Sequence, residues 1–304
     1  MKTPSYEPAG YDTDLNDAEW ELIEPFLYPA GARRGRGRRR EPHAARASLD
    51  AIRYILKAGC QWSLLPKEFP PKSTVHDALA TWTRQGVWPR INTALRERVR
   101  VETLKKNATP SAGIIDSQSV KGGQLPAASS GYDAGKKIKG RKRHMLTDTN
   151  GLLLGVVVTP ASVQDRDGAK VLLCLFCHGL LSLLMIFADG GYAGKLEEFV
   201  IQMGRLFGMG GSFALGIVKK LEDQKGFIVL PRRWVIERSF GWLVKQRRLT
   251  RDHEKNPRHH EAFVYIAFIG VMTQRLTTGE RPPTTRPARP TLLAWICQRQ
   301  TLSN

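Results

Sequence analysis

The first hundred residues carry apolar side chains at the spacing of one helix face. In each of four segments the apolar positions recur three or four residues apart, which is the period of an amphipathic helix. The four rows are Trp20, Ile23 and Leu27; Leu49, Ile52 and Leu56; Val75, Leu79 and Trp82; and Ile91, Leu95 and Val99. The pattern therefore predicts four short helices in this part of the chain.

Residues that favour helix ends set the expected limits of these helices. Asn16 and Glu19 form a capping-box pair for the first helix, which Pro25 is expected to kink or end. The other expected limits are Ser48 and Gly59 for the second helix, Ser73 or Thr74 for the start of the third, and Pro89 for the start of the fourth. Four such helices suit a small helix-turn-helix bundle whose third helix reads DNA, although such bundles also serve as protein contacts.

Further along the chain the apolar runs shorten and predict strands. Ala112–Val120, Leu183–Ala188 and Ala214–Val218 have strand length, and Asn150-Gly151 separates two further runs in the manner of a tight hairpin. A helix is expected to begin near Gly168. The resulting order is three strands, a helix, a strand, a helix, a strand and a last helix, which predicts a mixed α/β layer.

Composition divides the chain into three parts. The polar, proline-containing segment 105–112 separates the helices from the strands, so we expect an N-terminal helical DNA-binding domain at residues 1–104 and an α/β domain at 110–276. Residues 277–304 are expected to form a basic, disordered tail. Two glycine-rich stretches, Gly122–Gly135 and Met203–Ser212, are expected to be loops.

Two predicted strands end in a carboxylate. Asp116 follows the β-branched pair Ile114 and Ile115, and Asp189 follows the run Leu183–Ala188. A buried strand tolerates a charge when the charge is paired or holds a metal. Two carboxylates at two strand ends can share a cation, so both residues are site candidates.

A third acidic residue, Glu237, lies on a predicted helix whose apolar face is Ile236, Phe240 and Leu243. Carboxylates at strand ends and on a covering helix suit Mg²⁺, which takes oxygen ligands. Two such ions about 4 Å apart can activate a water or a 3′-hydroxyl and stabilise the leaving oxygen during displacement at phosphorus. Triples of acidic residues occur in any protein, so spacing alone leaves this triad a candidate.

The chain carries a large positive charge. It has 47 Lys and Arg against 28 Asp and Glu, a net charge of +19, which favours nucleic acid as the partner. Single clusters of charge are also common on solvated linkers. The basic residues predicted to contact DNA are Arg33, Arg34, Arg36, Arg38, Arg39, Arg40, Lys136, Lys137, Lys139, Arg141, Lys142, Arg143, Arg233, Lys245 and Arg247.

Nothing in the sequence favours export or a membrane. The N-terminal residues lack the apolar core of a signal peptide, and four cysteines are too few for a disulfide framework in a chain of 304 residues. The apolar stretch Val171–Ala188 is interpreted as a buried helix that runs into a strand. A cytoplasmic location is therefore expected.

A string of motifs carries a family resemblance. The segments IIDSQSVK, GYDAGKKIKGRKRH, PASVQDRDGAK, ADGGYAGK and PRRWVIERSFGWL, together with LNDAEWELIEPFL near the start, resemble the IS4/IS5-like transposases of bacterial insertion sequences. These belong to the DDE class with a ribonuclease H-like core. The resemblance covers about residues 13 to 275.

The resemblance implies a fold, a site and an activity. The fold is a ribonuclease H-like mixed-sheet catalytic core, preceded by the small helical domain. The resemblance makes Asp116, Asp189 and Glu237 the catalytic triad, which binds two Mg²⁺ ions. Mn²⁺ can substitute for Mg²⁺. The implied activity is cleavage at the inverted-repeat ends of the element and joining of the freed 3′-hydroxyls to target DNA. A homo-oligomer on double-stranded DNA and association with the bacterial nucleoid are also implied.

The sequence departs from the family signature around Glu237. Arg233 fits, but the expected Tyr is Leu230 and the expected Lys is Val244, so that Lys245 or Arg247 is left to contact a phosphate. Two other functions therefore stay open. One is a DNA-binding protein without catalysis, either a decayed copy or a repressor of its element. The other is a nuclease that hydrolyses DNA without joining it.

Overall fold

The structure is a computed structural model in which the described residues are 7–27, 42–123, 126–176, 182–206, 213–218 and 233–279. Within these ranges the helices are α1 (Asp17–Leu27), α2 (Pro42–Ala58), α3 (Lys72–Arg84), α4 (Val87–Arg98), α5 (Asp165–Phe176), α6 (Lys195–Leu206), α7 (Arg233–Val244) and α8 (Pro257–Thr278). The strands are β1 (Ala112–Lys121), β2 (Gly131–Asp133), β3 (Ile138–Asp148), β4 (Leu153–Pro160), β5 (Met185–Asp189) and β6 (Ala214–Val218).

All four predicted N-terminal helices are present, and each predicted apolar row is buried. The capping box of α1 is confirmed, because the backbone N–H of Glu19 donates to Asn16 Oδ1 at 2.8 Å and that of Asn16 donates to Glu19 Oε2 at 3.3 Å. Pro25 does not end α1, which continues to Leu27. Its missing N–H falls in the last turn, where little helix remains to be disrupted.

Three helices begin earlier than predicted. Ser48 is not a cap but an internal residue of α2, and its hydroxyl donates to the carbonyl of Ala44 at 2.7 Å. Helix α3 begins at Lys72 and α4 at Val87, each before the residue that was expected to open it. The predicted stop of α2 is confirmed at Gly59, whose φ of +70° is the left-handed conformation that favours glycine.

The strands form one mixed sheet in the order β4-β3-β1-β5-β6, and β2 pairs with the first residues of β3. β1 and β4 are both antiparallel to β3, whereas β5 is parallel to β1 and β6 is parallel to β5. The hairpin predicted at Asn150-Gly151 is confirmed: it joins β3 to β4, with Gly151 at a φ of +82°. The predicted order of strands and helices therefore holds, with one short extra strand.

Two loop predictions were wrong in part. Strand β2 lies within Gly122–Gly135, and α6 continues through Met203 to Leu206 because Met203 and Gly204 are buried. Residues 207–212 of the second stretch lie outside the described residues, as does the predicted tail from residue 280 onward.

Two apolar clusters pack on the two faces of the sheet. One face, with Ile114 and Met145, shares a cluster with α1–α4, α7 and α8; the other, with Ile115 and Leu146, packs against α5 and α6. The first cluster is continuous across the expected boundary at 105–112, so the division into two domains stays a prediction.

The sequence reasoning missed α8, which is buried on most sides. Its ends carry ordinary signals, because Asn256 caps it through the N–H of Arg258, Pro257 occupies its first turn and Gly279 follows it at a φ of +67°. A helix that is apolar all round has no amphipathic period, which explains why the periodicity did not reveal it. None of the described helices combines the length and hydrophobicity needed to span a membrane.

Candidate active site

The register of two parallel strands places Asp116 beside Asp189. In the β1–β5 ladder Ala112 pairs with Met185 and Ile114 with Phe187, a constant offset of 73 residues. The same offset aligns residue 116 with residue 189, two positions beyond the last pair. Because neighbouring strands lie about 4.8 Å apart and side chains alternate between faces, the two carboxylates leave the same face of the sheet.

Asp116 and Asp189 line one small cavity together with apolar side chains and Val218 of β6. Asp189 ends β5 as predicted, but Asp116 does not end its strand, because pairing with β3 continues β1 to Lys121. Each carboxylate is oriented by a backbone N–H. That of Ser117 donates to Asp116 Oδ1 at 2.7 Å, and that of Gly191 donates to Asp189 Oδ1 at 2.9 Å. These backbone donors therefore hold both acids in defined positions.

Helix α7 brings Glu237 to the same side of the sheet. Its buried residues Val235, Ile236 and Phe240 belong to the cluster that includes Ile114, and the helix contacts both β1 and β5. Glu237 itself is exposed to solvent. The predicted apolar face of this helix is confirmed, and the third acid lies on the element that covers the two aspartates.

The three acids do not form one compact ligand set. Within the part of the chain that the structure describes, no group of three His, Cys, Asp or Glu side chains is close enough to hold a metal ion. The structure thus brings Asp116 and Asp189 together and places Glu237 on the neighbouring helix without closing the triad.

The opposite face of β1 carries a buried polar network. Ser117 and Ser119 lie opposite His144 and Lys142 of β3. The ammonium group of Lys142 contacts Asp165 at 2.8 Å and Asp133 at 3.3 Å. Burial lowers the pKa of His144 to about 4, so its imidazole is neutral near pH 7. The network fastens the start of α5 and strand β2 to the strands that carry the site.

Tyr192 joins this network to the two aspartates. It is fully buried, and burial and the nearby Asp116 and Asp165 raise the pKa of its phenol well above 10. The hydroxyls of Tyr192 and the neighbouring Ser117 make no hydrogen bond of good geometry to the described residues. On the other face, the two carboxylates of Asp116 and Asp189 offer only oxygen atoms, which is the donor chemistry that Mg²⁺ takes.

The predicted basic run 136–143 is split by the structure. Lys136, Lys137 and Lys139 are exposed on the hairpin between β2 and β3. Arg141, Lys142 and Arg143 are each at most 5% exposed. The first three can reach DNA, whereas the last three are enclosed by the protein.

The buried arginines are satisfied internally. Arg141 donates to Asp252 Oδ2 at 2.9 Å and to the carbonyls of Glu254 and Lys255 at 2.6 and 3.0 Å. Arg143 donates to Gln118 Oε1 and to the carbonyl of Leu249. A DNA phosphate could reach these groups only if buried contacts opened. We therefore remove Arg141, Lys142 and Arg143 from the expected DNA contacts.

The remaining predicted DNA contacts are placed only in part. Lys245 and Arg247 are exposed just beyond the end of α7. Arg233 begins that helix, but its side chain lies outside the described residues. The segment with Arg33, Arg34, Arg36, Arg38, Arg39 and Arg40 also lies outside them.

Two buried polar residues, Asp252 and Tyr192, were not predicted from the sequence. Asp252 is fully buried between Arg141 and His260, although it stands in a charged segment that looks like a surface loop. Tyr192 follows Asp189 by three residues, and its place beside the candidate acid was the only signal for it. The strict alternation of Asp116 and Gln118 with Ser117 and Ser119 was the signal for two polar faces.

Comparison with known proteins identifies the family. Residues 107–272, more than half of the chain, match the transposase DDE domain. The chain belongs to this family. Residues 15–92 match a second family, the putative transposases of the IS4/5 family. The two matched segments of this DDE-family chain correspond to the helical part and to the sheet with its covering helices, and they confirm the IS4/IS5-like resemblance.

Three relatives of this DDE-family chain are known from two bacteria. An insertion element IS402 uncharacterized 16.2 kDa protein of Burkholderia cepacia is 38% identical over 28% of this chain and 60% of its own length. A putative transposase for insertion sequence element IS402 of the same species is 27% identical over 42% and 60%. The uncharacterized protein y4sN of Sinorhizobium fredii is 29% identical over 40% and 96%.

The chain spans about 60% of the length of the first two relatives. No solved structure matches it.

Proposed function

We propose that this DDE-family protein is the DNA transposase of an insertion sequence. It binds double-stranded DNA at the terminal inverted repeats, cleaves there, and joins the freed 3′-hydroxyls to target DNA with the help of two Mg²⁺ ions or Mn²⁺. It works as a homo-oligomer on that DNA. The observation that carries the proposal is the alignment of Asp116 with Asp189 on adjacent parallel strands, in one cavity below α7.

The fold supports this assignment. The sheet has three antiparallel strands followed by two parallel ones, with α5 and α6 between the later strands, which agrees with a ribonuclease H-like core. Asp189 lies at the carboxyl end of the parallel strand β5, where open α/β sheets place their ligands, and Asp116 lies level with it in the register of β1.

The residues of the chain divide the work of the site. Asp116 and Asp189 would hold the metal ions, with Glu237 as the third ligand from α7. Bound divalent ions supply activation of the attacking oxygen and stabilisation of the leaving oxygen at phosphorus. The backbone N–H groups of Ser117 and Gly191 keep the two aspartates oriented. The apolar side chains of Ile114 and Phe187 line the same cavity and limit the access of water to the two carboxylates.

Exposed cations supply the DNA contact. Lys136, Lys137 and Lys139 project from the β2–β3 hairpin, and Lys245 and Arg247 follow α7. The N-terminal helices α1–α4, together with the Arg33–Arg40 run in the chain between α1 and α2, are proposed to bind the inverted repeats. Phosphate contacts of this kind give affinity that falls with salt.

Strand cleavage by substituted proteins tests the proposal. Asp116→Ala, Asp189→Ala and Glu237→Gln should each abolish cleavage of an end-containing duplex in Mg²⁺ or Mn²⁺, while duplex affinity stays within a few-fold of the unsubstituted protein. Glu198→Gln, an exposed acid on α6, is the matched control and should cleave normally. Unimpaired cleavage by the two aspartate variants would refute the catalytic assignment.

The unclosed triad and the substituted signature positions favour a second candidate, a DNA-binding protein without catalysis. This protein would show salt-dependent duplex affinity and no nicks with either metal. A hydrolytic nuclease is distinguished by a third outcome, which is nicked DNA with no joined product.

A further inference from the structure

The β2–β3 hairpin projects from the edge of the sheet that carries the candidate acids. β1 continues beyond Asp116 to Lys121, which pairs with Gly140 near the start of β3. The hairpin turn at residues 134–137 therefore lies beyond the carboxyl end of β1. Asp189 ends β5 and lies level with Asp116 in the middle of β1, so the second half of β1 leads from the acids toward the hairpin.

The hairpin also presents its largest side chain to the face that carries the acids. Asp116 lies opposite Met145 in the β1–β3 ladder, and every second residue of β3 from Met145 back to Lys139 points to that face. Tyr132 lies directly opposite Lys139 in the β2–β3 ladder. Tyr132 therefore faces the same side as Asp116, about 20 Å away along the strand at 3.3 Å per residue.

Tyr132 is exposed in a basic setting. Its exposed fraction is 55%, and the neighbouring Lys136, Lys137 and Lys139 are exposed as well. The other residues of the turn, Ala134 and Gly135, are small and exposed and leave the ring uncovered. An aromatic ring among three exposed ammonium groups is unlike the core of a protein–protein interface, which is apolar and depleted of charged residues.

The hairpin is held firmly, so the exposure of Tyr132 does not come from a loose loop. Asp133 accepts hydrogen bonds from Ser119 Oγ at 2.5 Å and from the N–H of Lys136 at 3.1 Å, and it pairs with Lys142. Although burial opposes ionisation, these contacts lower the pKa of Asp133 to about 2. Arg141 fastens the following strand to Asp252.

From this placement we infer that Tyr132 stacks on a nucleobase in an unpaired DNA segment, while the surrounding lysines contact its phosphates. The inference rests on the proposed function and adds a binding subsite to it. An aromatic face beside cations is the arrangement that binds single strands without reading their sequence. The ligand is an unpaired base because bases inside a duplex are already covered on both faces by their neighbours.

The distance sets where that base would be. At 3.4 Å per stacked nucleotide, about 20 Å corresponds to about six nucleotides from the strand position at Asp116. The subsite thus acts on DNA flanking the cleavage point rather than at the reacting phosphate.

Affinities for two DNA forms test the inference. The full chain is titrated with a fluorescent 20-nucleotide single strand and with the corresponding blunt duplex, both at one low salt concentration. Tyr132→Ala should weaken single-strand binding by about five-fold to a hundred-fold, from the usual effect of removing one stacked base, and duplex binding by less than two-fold. Tyr132→Phe should bind both forms as the unsubstituted protein does.

Controls separate stacking from charge and from folding. Lys136→Ala should weaken both DNA forms by similar factors and flatten the salt dependence. Leu206→Ala, which changes an exposed apolar residue on α6, should change neither affinity. All variants should share one unfolding midpoint, because the substituted side chains are exposed.

A spectroscopic measurement locates the stacked base. With 2-aminopurine placed at successive positions of a single-stranded overhang, quenching should be strongest at one position and should disappear in Tyr132→Ala. Equal losses on single strand and duplex, or a Phe variant as weak as the Ala variant, would overturn the inference. Failure of the unsubstituted protein to bind the duplex would instead reject the proposed function.

Discussion

The basic run 136–143 contains two halves of equal charge and opposite environment. Lys136, Lys137 and Lys139 stand in solvent on the β2–β3 hairpin, whereas Arg141, Lys142 and Arg143 are buried in β3. The chain changes from one environment to the other within two residues, at Gly140. Positively charged side chains are therefore exposed to solvent in one half of the run and bound to internal partners in the other.

The difference arises from what packs against the strand. β3 is paired on both sides, so its side chains enter the two layers above and below the sheet. On one face Arg141 meets Asp252, and on the other Lys142 meets Asp133 and Asp165. Buried charges are retained only when such partners are in place. A run of basic residues is thus exposed only where no acidic side chain from another segment packs against it.

The largest expected effect is the loss of a buried cation. Arg141→Ala would leave Asp252 without its guanidinium and the carbonyls of Ser129, Glu254 and Lys255 without this donor. We therefore expect the free energy of unfolding to fall by about 3–5 kcal/mol. Urea unfolding measures this. Lys136→Ala, from the exposed half, is the control and should stay within about 0.5 kcal/mol of the unsubstituted protein. Equal stability of both variants would contradict the division of the run.

A smaller effect is expected from acid. Although burial opposes ionisation, the hydrogen bond from His260, the N–H of Glu254 and the charge of Arg141 lower the pKa of Asp252 to about 2. The stability that this group contributes is complete above its unfolded pKa of about 3.9 and is lost as pH falls through about 2, an amount of roughly 2 kcal/mol. In Asp252→Asn this part of the pH dependence of stability is absent, because the amide side chain does not ionise.

Unfolding midpoints between pH 6 and pH 2 measure this acid effect. The stability difference between the unsubstituted protein and Asp252→Asn should shrink below pH 4, because protonation then removes from Asp252 the charge that the Asn variant already lacks. A difference that stays constant down to pH 2 would contradict the ion pair with Arg141.

The smallest effect on stability belongs to the hairpin. The double substitution of Lys136 and Lys139 by Ala should leave the unfolding midpoint unchanged, because both side chains are exposed. Each lost phosphate contact should lower the slope of log affinity against log salt by about 0.9. Fluorescence anisotropy on a duplex at several salt concentrations measures the slope. An unchanged slope would remove the hairpin from the DNA interface.

Local patterns predicted much of the fold because local physics decides it. The apolar rows of α1–α4, the capping box at Asn16 and the hairpin at Gly151 depend on residues only a few positions apart. The starts of β1 and β6 and the order of the predicted elements also followed from such patterns, whereas β5 begins at Met185, two residues after the predicted start. Helix α8 and strand β2 did not, because packing on several sides stabilises the first and pairing with β3 stabilises the second.

The candidate site shows the same limit. The residue types of Asp116 and Asp189 and the position of Asp189 at a strand end were visible in the sequence. The predicted strand end at Asp116 was wrong, because β1 continues to Lys121. That they share a cavity depends on the register of β1 with β5, which is set across 73 residues of chain. The burial of Tyr192 near Asp116 and Asp165, and the pairing of Arg141 with Asp252, depend on further long-range contacts.

The sequence by itself determined which segments are helices and strands, the positive charge and the acids available for a metal site. The tertiary structure alone decided which of those charges are buried, which acids meet, and which aromatic side chain stays in solvent. The physical reason is that amphipathic period and capping act over a few residues, whereas burial and charge pairing arise only when distant segments pack together.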